Sequence, residues 1–254
     1  MALPIALQLY TLREAMASDF VGVIHKVAEL GYAGVEVAGV IYDHTTPKAA
    51  AQLFKDLGLT VAGAHESLPL GGDKNAVLDR MATLDTTRLI CPWRPPEQFK
   101  SADSIKAVCD ELNTADEVAR QNELTLLYHN HWFEYELVGG RPANQIMLEY
   151  LSPTVQLEID TYWVQVGGQN PAQVVKDLGL RAPLLHIKDG PADNRENPMT
   201  AVGEGVMDWE AIIGAGQGAT EWLIVELDRC ATDMLEAVRK SYVYLTGKGF
   251  ARGR

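Results

Sequence analysis

The chain has 254 residues, of which 47% are hydrophobic and 22% charged, and a formal net charge of −12. That length can bury a core without a disulfide or metal staple. The negative charge argues against broad binding to nucleic acid or an anionic membrane, both of which need a positive field, but it leaves room for a small anion held by a metal and a few local basic groups.

Cys91, Cys109 and Cys230 are odd in number and far apart in sequence. Neither a disulfide framework nor a thiolate zinc site is expected, and reduced thiols in a cytoplasmic protein are the default. Met1 to Ile5 lacks the charged n-region and apolar stretch of a secretory signal. No window approaches the roughly 18 apolar residues of a membrane span.

In chain order, Pro4–Tyr10 reads as a first strand. A helix follows, with Ser18 as its cap and Phe20, Val23, Ile24, Val27, Ala28 and Leu30 as its apolar face; Gly31 ends it in a left-handed conformation. Gly34–Val37 is a second strand, followed by a helix over 47–57. Thr60–His65 is a third strand, followed by a helix over 73–84. Arg88–Pro92 is a fourth, followed by a long helix over 101–121. Thr125–His129, Val155–Asp160, Pro183–Ile187 and Trp222–Leu227 complete the strands. Further helices are expected over 145–150, 171–178, 208–213 and 232–245. Strand starts lie roughly 26–39 residues apart, the period of a βα unit. Eight units, with no glycine-rich phosphate fingerprint after the first strand, predict a single-domain α/β protein over 1–254, a (β/α)8 TIM barrel rather than an open doubly wound sheet.

Active sites of such barrels lie at the C-terminal ends of the strands. Ionisable groups collect there in this chain: Glu36; His65-Glu66; His129-Asn130-His131 with Glu134 beyond; Glu158 and Asp160; His186, Lys188 and Asp189; Glu226 and Asp228. Strand alternation gives His186 and Lys188 a common direction and sends Ile187 into the helix layer. Glu158 and Asp160 share a face in the same way, with Glu158 deeper, as do His129 and His131. Mixed carboxylate and imidazole ligands suit one divalent ion, Mn²⁺, Co²⁺, Zn²⁺ or Mg²⁺, able to stabilise an enediolate formed next to a carbonyl. Lys188 is a candidate oxyanion stabiliser, and Glu36, His65 and His129 are candidate partners of substrate hydroxyls. Trp132, Trp163 and Trp209 could wall a sugar ring, although packing is the more ordinary role of each. Arg94, in the stiff Cys91–Pro96 loop, could meet an anion or simply be solvated.

Three segments carry a resemblance: Tyr128-His129-Asn130-His131-Trp132-Phe133-Glu134, Ile159-Asp160-Thr161-Tyr162-Trp163 and His186-Ile187-Lys188-Asp189-Gly190. With Gln8–Thr11, Gly31–Glu36, Val202–Trp209 and Glu226, they resemble the sugar phosphate isomerase/epimerase family of xylose isomerase-like barrels, in its YHNH-type branch, over nearly the whole chain. The resemblance implies a sugar or keto-sugar substrate, self-association, and one metal held from strands five to eight. Asp160, His186 and Glu226 match the last three ligands. Glu134 is taken as the strand-five ligand, with Glu136 and His131 as alternatives.

His131, Lys188 and Glu226 are the implied catalytic groups, and Trp163 an implied substrate contact. The implied reaction is isomerisation or epimerisation by proton abstraction next to a carbonyl. Histidines in place of a strand-five glutamate also fit a lyase or dehydratase acting on a 3-keto sugar or inosose. An endonuclease IV-like phosphodiesterase fits less well, because of the charge and the ligand count. A non-catalytic sugar-binding barrel would have lost its metal ligands.

Overall fold

The computed structural model describes residues 2–254. Eight parallel strands pair in chain order: β1 (Leu3–Gln8), β2 (Gly34–Ala38), β3 (Thr60–His65), β4 (Arg88–Cys91), β5 (Thr125–His129), β6 (Gln156–Asp160), β7 (Leu184–Ile187) and β8 (Trp222–Val225). β8 then pairs back onto β1 through Ile5–Leu223, Ala6–Ile224 and Leu7–Val225, so the sheet closes into a (β/α)8 barrel. The helices α1 (Arg13–Leu30), α2 (Pro47–Asp56), α3 (Lys74–Leu84), α4 (Ala102–Gln121), α5 (Ala143–Tyr150), α6 (Thr161–Val166), α7 (Pro171–Leu178), α8 (Trp209–Ala215) and α9 (Met234–Gly247) surround it. No helix of the described residues is long and apolar enough to cross a membrane.

The strands lie where the period places them, and local chemistry sets most helix ends. Thr46 accepts from Ala49 N–H ahead of α2, and Ser101 forms a capping box with Ser104 ahead of α4. Gly31 closes α1 at φ 100°, where a Cβ would meet the Tyr242 hydroxyl at 2.4 Å.

The start of α1 differs from expectation. It begins at Arg13 and breaks at Asp19 (φ −155°, ψ 80°), whose Oδ1 accepts Gly22 N–H at 2.8 Å. Asp19, not Ser18, therefore caps the main segment, because its carboxylate makes the charge-assisted bond to the helix start. Three features were not expected: α6, a small hairpin of Leu137–Val138 with Arg141–Pro142, and a short strand, Ala251–Arg252, beside β1.

Strand alternation builds the barrel interior in two chemical layers. Ala6, Ala62, Ile90, Leu127, Leu184 and Ile224 form an enclosed apolar plug inside the strands. Two residues further along four of these chains come Gln8, His129, His186 and Glu226, on the same inward face and all buried. The period that buries the plug thus raises a polar layer above it, at the C-terminal mouth. Residues such as Ile187 and Val225 point the other way and pack in the main core between barrel and helices.

Candidate active site

The polar layer is a connected network. Gln8 Nε2 donates to Glu36 Oε1 at 2.6 Å, and the same oxygen lies 2.7 Å from His186 Nε2 and 3.1 Å from His65 Nε2. Glu36 faces the centre by alternation with Val35 and Val37, and opposite it the register against β3 passes from Val35–Val61 to Glu36–Gly63, a bulge whose extra residue lies on β3. Gly63 sits opposite, and a Cβ there would meet Ile90 Cδ1 at 2.5 Å. Glu158 Oε2 lies 2.7 Å from His65 Nε2, 3.1 Å from His129 Nδ1 and 3.2 Å from His186 Nε2.

Nearer the mouth, His186 Nδ1 pairs with Glu226 Oε2 at 2.8 Å. Lys188 Nζ lies 2.9 Å from Asp160 Oδ2, 2.7 Å from Glu226 Oε2 and 2.7 Å from Asp228 Oδ2. Asp160 Oδ1 accepts Trp163 N–H at 2.9 Å and so starts α6, which leaves Oδ2 for the site.

Electrostatics follow from burial and this crowding. Burial alone would raise Glu36, but His65 and His186 outweigh it and hold the carboxyl well below its usual range. Glu158 moves up, through burial and the nearby Glu36 charge. Burial would lower His65, yet Glu36 and Glu158 push it up to about 10. His186 is raised well above the imidazole range, since Glu158, Glu36 and Glu226 outweigh its burial.

His129 is driven down by burial and by the neighbouring His186. His131 falls to about 3, through burial and then Lys188. Burial lifts Asp160 to about 6 against the pull of Lys188. Glu226 is lowered: Lys188 and His186 overcome its burial.

A divalent ion fits these donors. Glu36, Glu158, Asp160, Glu226 and Asp228 face one permanent cation, Lys188, and protons on His65 and His186 make up part of the balance. Several buried atoms have no hydrogen-bond partner: Asp160 Oδ2, His129 Nδ1, Glu158 Oε1 and Glu36 Oε2. Lys188 is close enough to Asp160 Oδ2 for an ion pair but is not aligned to hydrogen-bond it. Two overlapping sets offer ligand atoms within 4.8 Å of one another: His129, Asp160, His186 and Glu226 near the mouth, and His65, His129, Glu158 and His186 below. Imidazole and carboxylate donors without thiolate suit a borderline or hard divalent ion.

A cavity of about 490 Å³ opens above these groups, with His65, Glu66, His129, His131, Glu226 and Asp228 in its polar wall and Tyr10 and Trp93 on its apolar side. His65, His129 and His131 thus reach the cavity together, while Glu36 lies beneath it. Glu134 faces elsewhere: its Oε1 accepts the Tyr128 hydroxyl at 2.6 Å and its Oε2 the His131 N–H at 2.9 Å. His129, and not Glu134, is the residue whose ligand atom lies within 4.8 Å of those of Asp160, His186 and Glu226. Glu136 pairs with Lys100 on the surface.

Trp163 is buried, its ring 5.1 Å from Trp132 and 5.4 Å from Lys188 Nζ, and Trp209 donates Nε1–H to Asp189 at 2.8 Å. None of these three tryptophans is in the cavity wall, whose indole is Trp93. Arg94 is tied to Glu111. Sequence reasoning overlooked Tyr10 and Trp93, although both lie just past strand ends, which was the available signal. It also overlooked the Glu66–Arg80 pair, for which the sequence carries none.

The chain belongs to the family described as xylose isomerase-like TIM barrel, whose model matches residues 24–241. Among individual proteins, a 2-epi-5-epi-valiolone 7-phosphate 2-epimerase of Actinoplanes sp. is 27% identical over 157 residues. That match covers 61% of this chain and 54% of the relative, so the chain spans about half the length of that protein. A sugar phosphate isomerase/epimerase from Parabacteroides distasonis has the same fold, with a TM-score of 0.83, 24% identity, and coverage of 99% of this chain and 96% of that one. So does the IolI protein, solved with a bound zinc atom, at a TM-score of 0.69 and 15% identity, covering 98% of this chain and 99% of that one.

Proposed function

We propose that this chain is a divalent-metal-dependent isomerase or epimerase of a sugar or keto-polyol, acting by proton abstraction next to a carbonyl. The observation that carries the reading is the convergence of His129, Asp160, His186 and Glu226 from four adjacent strands, beneath a cavity large enough for a sugar. The match to an epimerase and the zinc in a protein of the same fold support it. When bound, the ion would polarise a carbonyl and a neighbouring hydroxyl and so stabilise an enediolate.

The protein's own groups supply the rest. His131 lines the cavity, so in this reading its ring is the group placed to take a proton. Lys188 is surrounded by Asp160, Glu226 and Asp228; its role in this reading is to hold those carboxylates in position before it serves any oxyanion. Glu226, held ionised by Lys188 and His186, orients substrate or shuttles a proton from the end of β8. His65 meets substrate hydroxyls from the cavity floor, His129 gives its ring to the ion, and Glu36 orients His65 and His186 from below.

A lyase or dehydratase reading rests on one specific feature. β5 presents imidazoles to the cavity and its nearby carboxylate, Glu134, is turned away, so a pair of opposed glutamates is missing. An enediolate formed by a histidine base can expel a β-hydroxyl instead of regaining its proton.

The deciding experiment is metal analysis of wild type and His186→Ala, followed by reaction of the loaded protein with keto-sugars in deuterated water. Near one ion per chain, lost in the folded variant, together with deuterium uptake at conserved carbon skeleton and composition, would support the isomerase. Loss of water or an aglycone would move the assignment to the lyase. No bound ion after supplementation with Mn²⁺, Co²⁺, Zn²⁺ and Mg²⁺ in turn would overturn the metal-dependent mechanism.

A further inference from the structure

We propose that this site takes an uncharged keto-sugar or keto-polyol and discriminates against its phosphate ester. The inference rests on the sugar-directed reading above and narrows its substrate class. It comes from where the permanent cations are. The cavity wall contains Glu66, Glu226 and Asp228 but neither lysine nor arginine.

The cations nearest that wall are already committed. Arg80 forks onto Glu66, with Nε 3.0 Å from both carboxylate oxygens and Nη2 2.7 Å from one, and Tyr42 donates to the same carboxylate at 3.1 Å. Lys188 is enclosed by three carboxylates. Arg13 donates to the backbone carbonyls of Tyr10 and Asp228 and lies over the Tyr10 ring, and Arg94 is paired with Glu111.

Away from the ion-binding group, a phosphate at the outer wall would meet like charges on Glu66 and Asp228 and no free guanidinium or ammonium, and the one imidazolium in the wall, His65, is already held between Glu36 and Glu158. The formal net charge of −12 adds an unfavourable field at longer range. Hydroxyl groups carry no such penalty and can share the carboxylates and imidazoles as acceptors and donors. Tyr10 and Trp93, 39% and 50% exposed, form the outer apolar wall, which suits a sugar ring face or an uncharged substituent. Glu66 is then a specificity-determining residue: it shows a carboxylate to the cavity while occupying the Arg80 guanidinium.

The test is calorimetric titration of the metal-loaded protein with paired ligands: D-fructose, D-psicose and D-tagatose against the 6-phosphate of each. Wild type should bind at least one neutral ketose tenfold or more tighter than its ester. Glu66→Gln, which releases Arg80, should raise affinity for the ester tenfold or more. Asp228→Asn, which removes the second repelling charge, should move it the same way and serves if Glu66→Gln does not fold. Equal or tighter binding of the esters by wild type would overturn the inference while leaving the metal-dependent sugar reading in place. Failure of every ketose and every ester to bind a metal-loaded protein would overturn both.

Discussion

Asn130 and Asp160 exchange two hydrogen bonds across the ends of β5 and β6. Asn130 Nδ2 donates to the Asp160 carbonyl at 3.2 Å, and the Asp160 N–H donates to Asn130 Oδ1 at 3.0 Å. The pair fixes the backbone that carries one candidate ligand, Asp160, and sits one residue beyond another, His129. Asn130 therefore works between two histidines that face the cavity without facing it itself. Asn130→Ala would leave the buried Asp160 N–H and carbonyl without these partners, at about 1–3 kcal/mol each before relaxation. Urea denaturation should show a lower midpoint at unchanged slope, and metal affinity should fall with it. An unchanged midpoint would mean that the bonds contribute nothing.

The second prediction separates His129 from Glu134. The ligand group that includes Asp160, His186 and Glu226 takes His129 as its fourth member, while both oxygens of Glu134 are engaged by Tyr128 and the His131 backbone. His129→Ala should lower metal occupancy at least tenfold under limiting metal, and Glu134→Gln should retain it. Metal analysis after equilibrium dialysis reads the difference directly. Loss in Glu134→Gln with retention in His129→Ala would return the fourth position to the glutamate.

These particulars show what the sequence made legible. Eight strands are readable because each apolar run is short, ends near a glycine or polar residue and recurs at the βα period. The site is readable because strand alternation places Leu127 and His129, or Leu184 and His186, on one inward face. Partner choice was hidden. Glu134 and His129 lie five residues apart and look equally suited to a metal, and only the turn after β5 points one of them at Tyr128. The Arg80–Glu66 pair joins α3 to the end of β3, a contact with no sequence period. Trp163 and Trp93 are chemically alike, yet α6 buries the first and the loop after β4 exposes the second.

Glu134 also gives a pH dependence. Burial lifts its carboxyl to about 8, from an ordinary value near 4.5. Between those values the folded chain holds a proton that the unfolded chain releases. The stability associated with the neutral carboxyl is therefore complete below about 4.5 and declines as pH rises through about 8, by up to about 1.4 kcal/mol per pH unit. Other buried groups titrate in the same range, so the quantity to measure is the difference between wild type and Glu134→Gln. Denaturation midpoints from pH 5 to pH 9 should fall more steeply in wild type. Parallel profiles would show that Glu134 is ionised throughout.

The last prediction concerns Asp189, next to Lys188 at the end of β7. Its buried carboxylate accepts N–H groups from Gly190, Gly203 and Met207 and from the Trp209 indole, at 2.8–3.2 Å. One side chain thus gathers the 190–209 segment against the barrel. Gly205 is part of the same packing, since a Cβ there would lie 2.0 Å from Asp189 Oδ1. Asp189→Ala would leave several buried donors unpaired and should cost about 3 kcal/mol or more. The loss should appear as a lower denaturation midpoint, altered Trp209 emission and new proteolytic cleavage within 190–208. Because Lys188 is the neighbouring residue, the variant should also loosen the ion pairs to Asp160 and Glu226 and lower metal affinity. A variant with native stability but fast cleavage would confine Asp189 to the loop, whereas loss of stability with no cleavage would place its effect in the barrel itself.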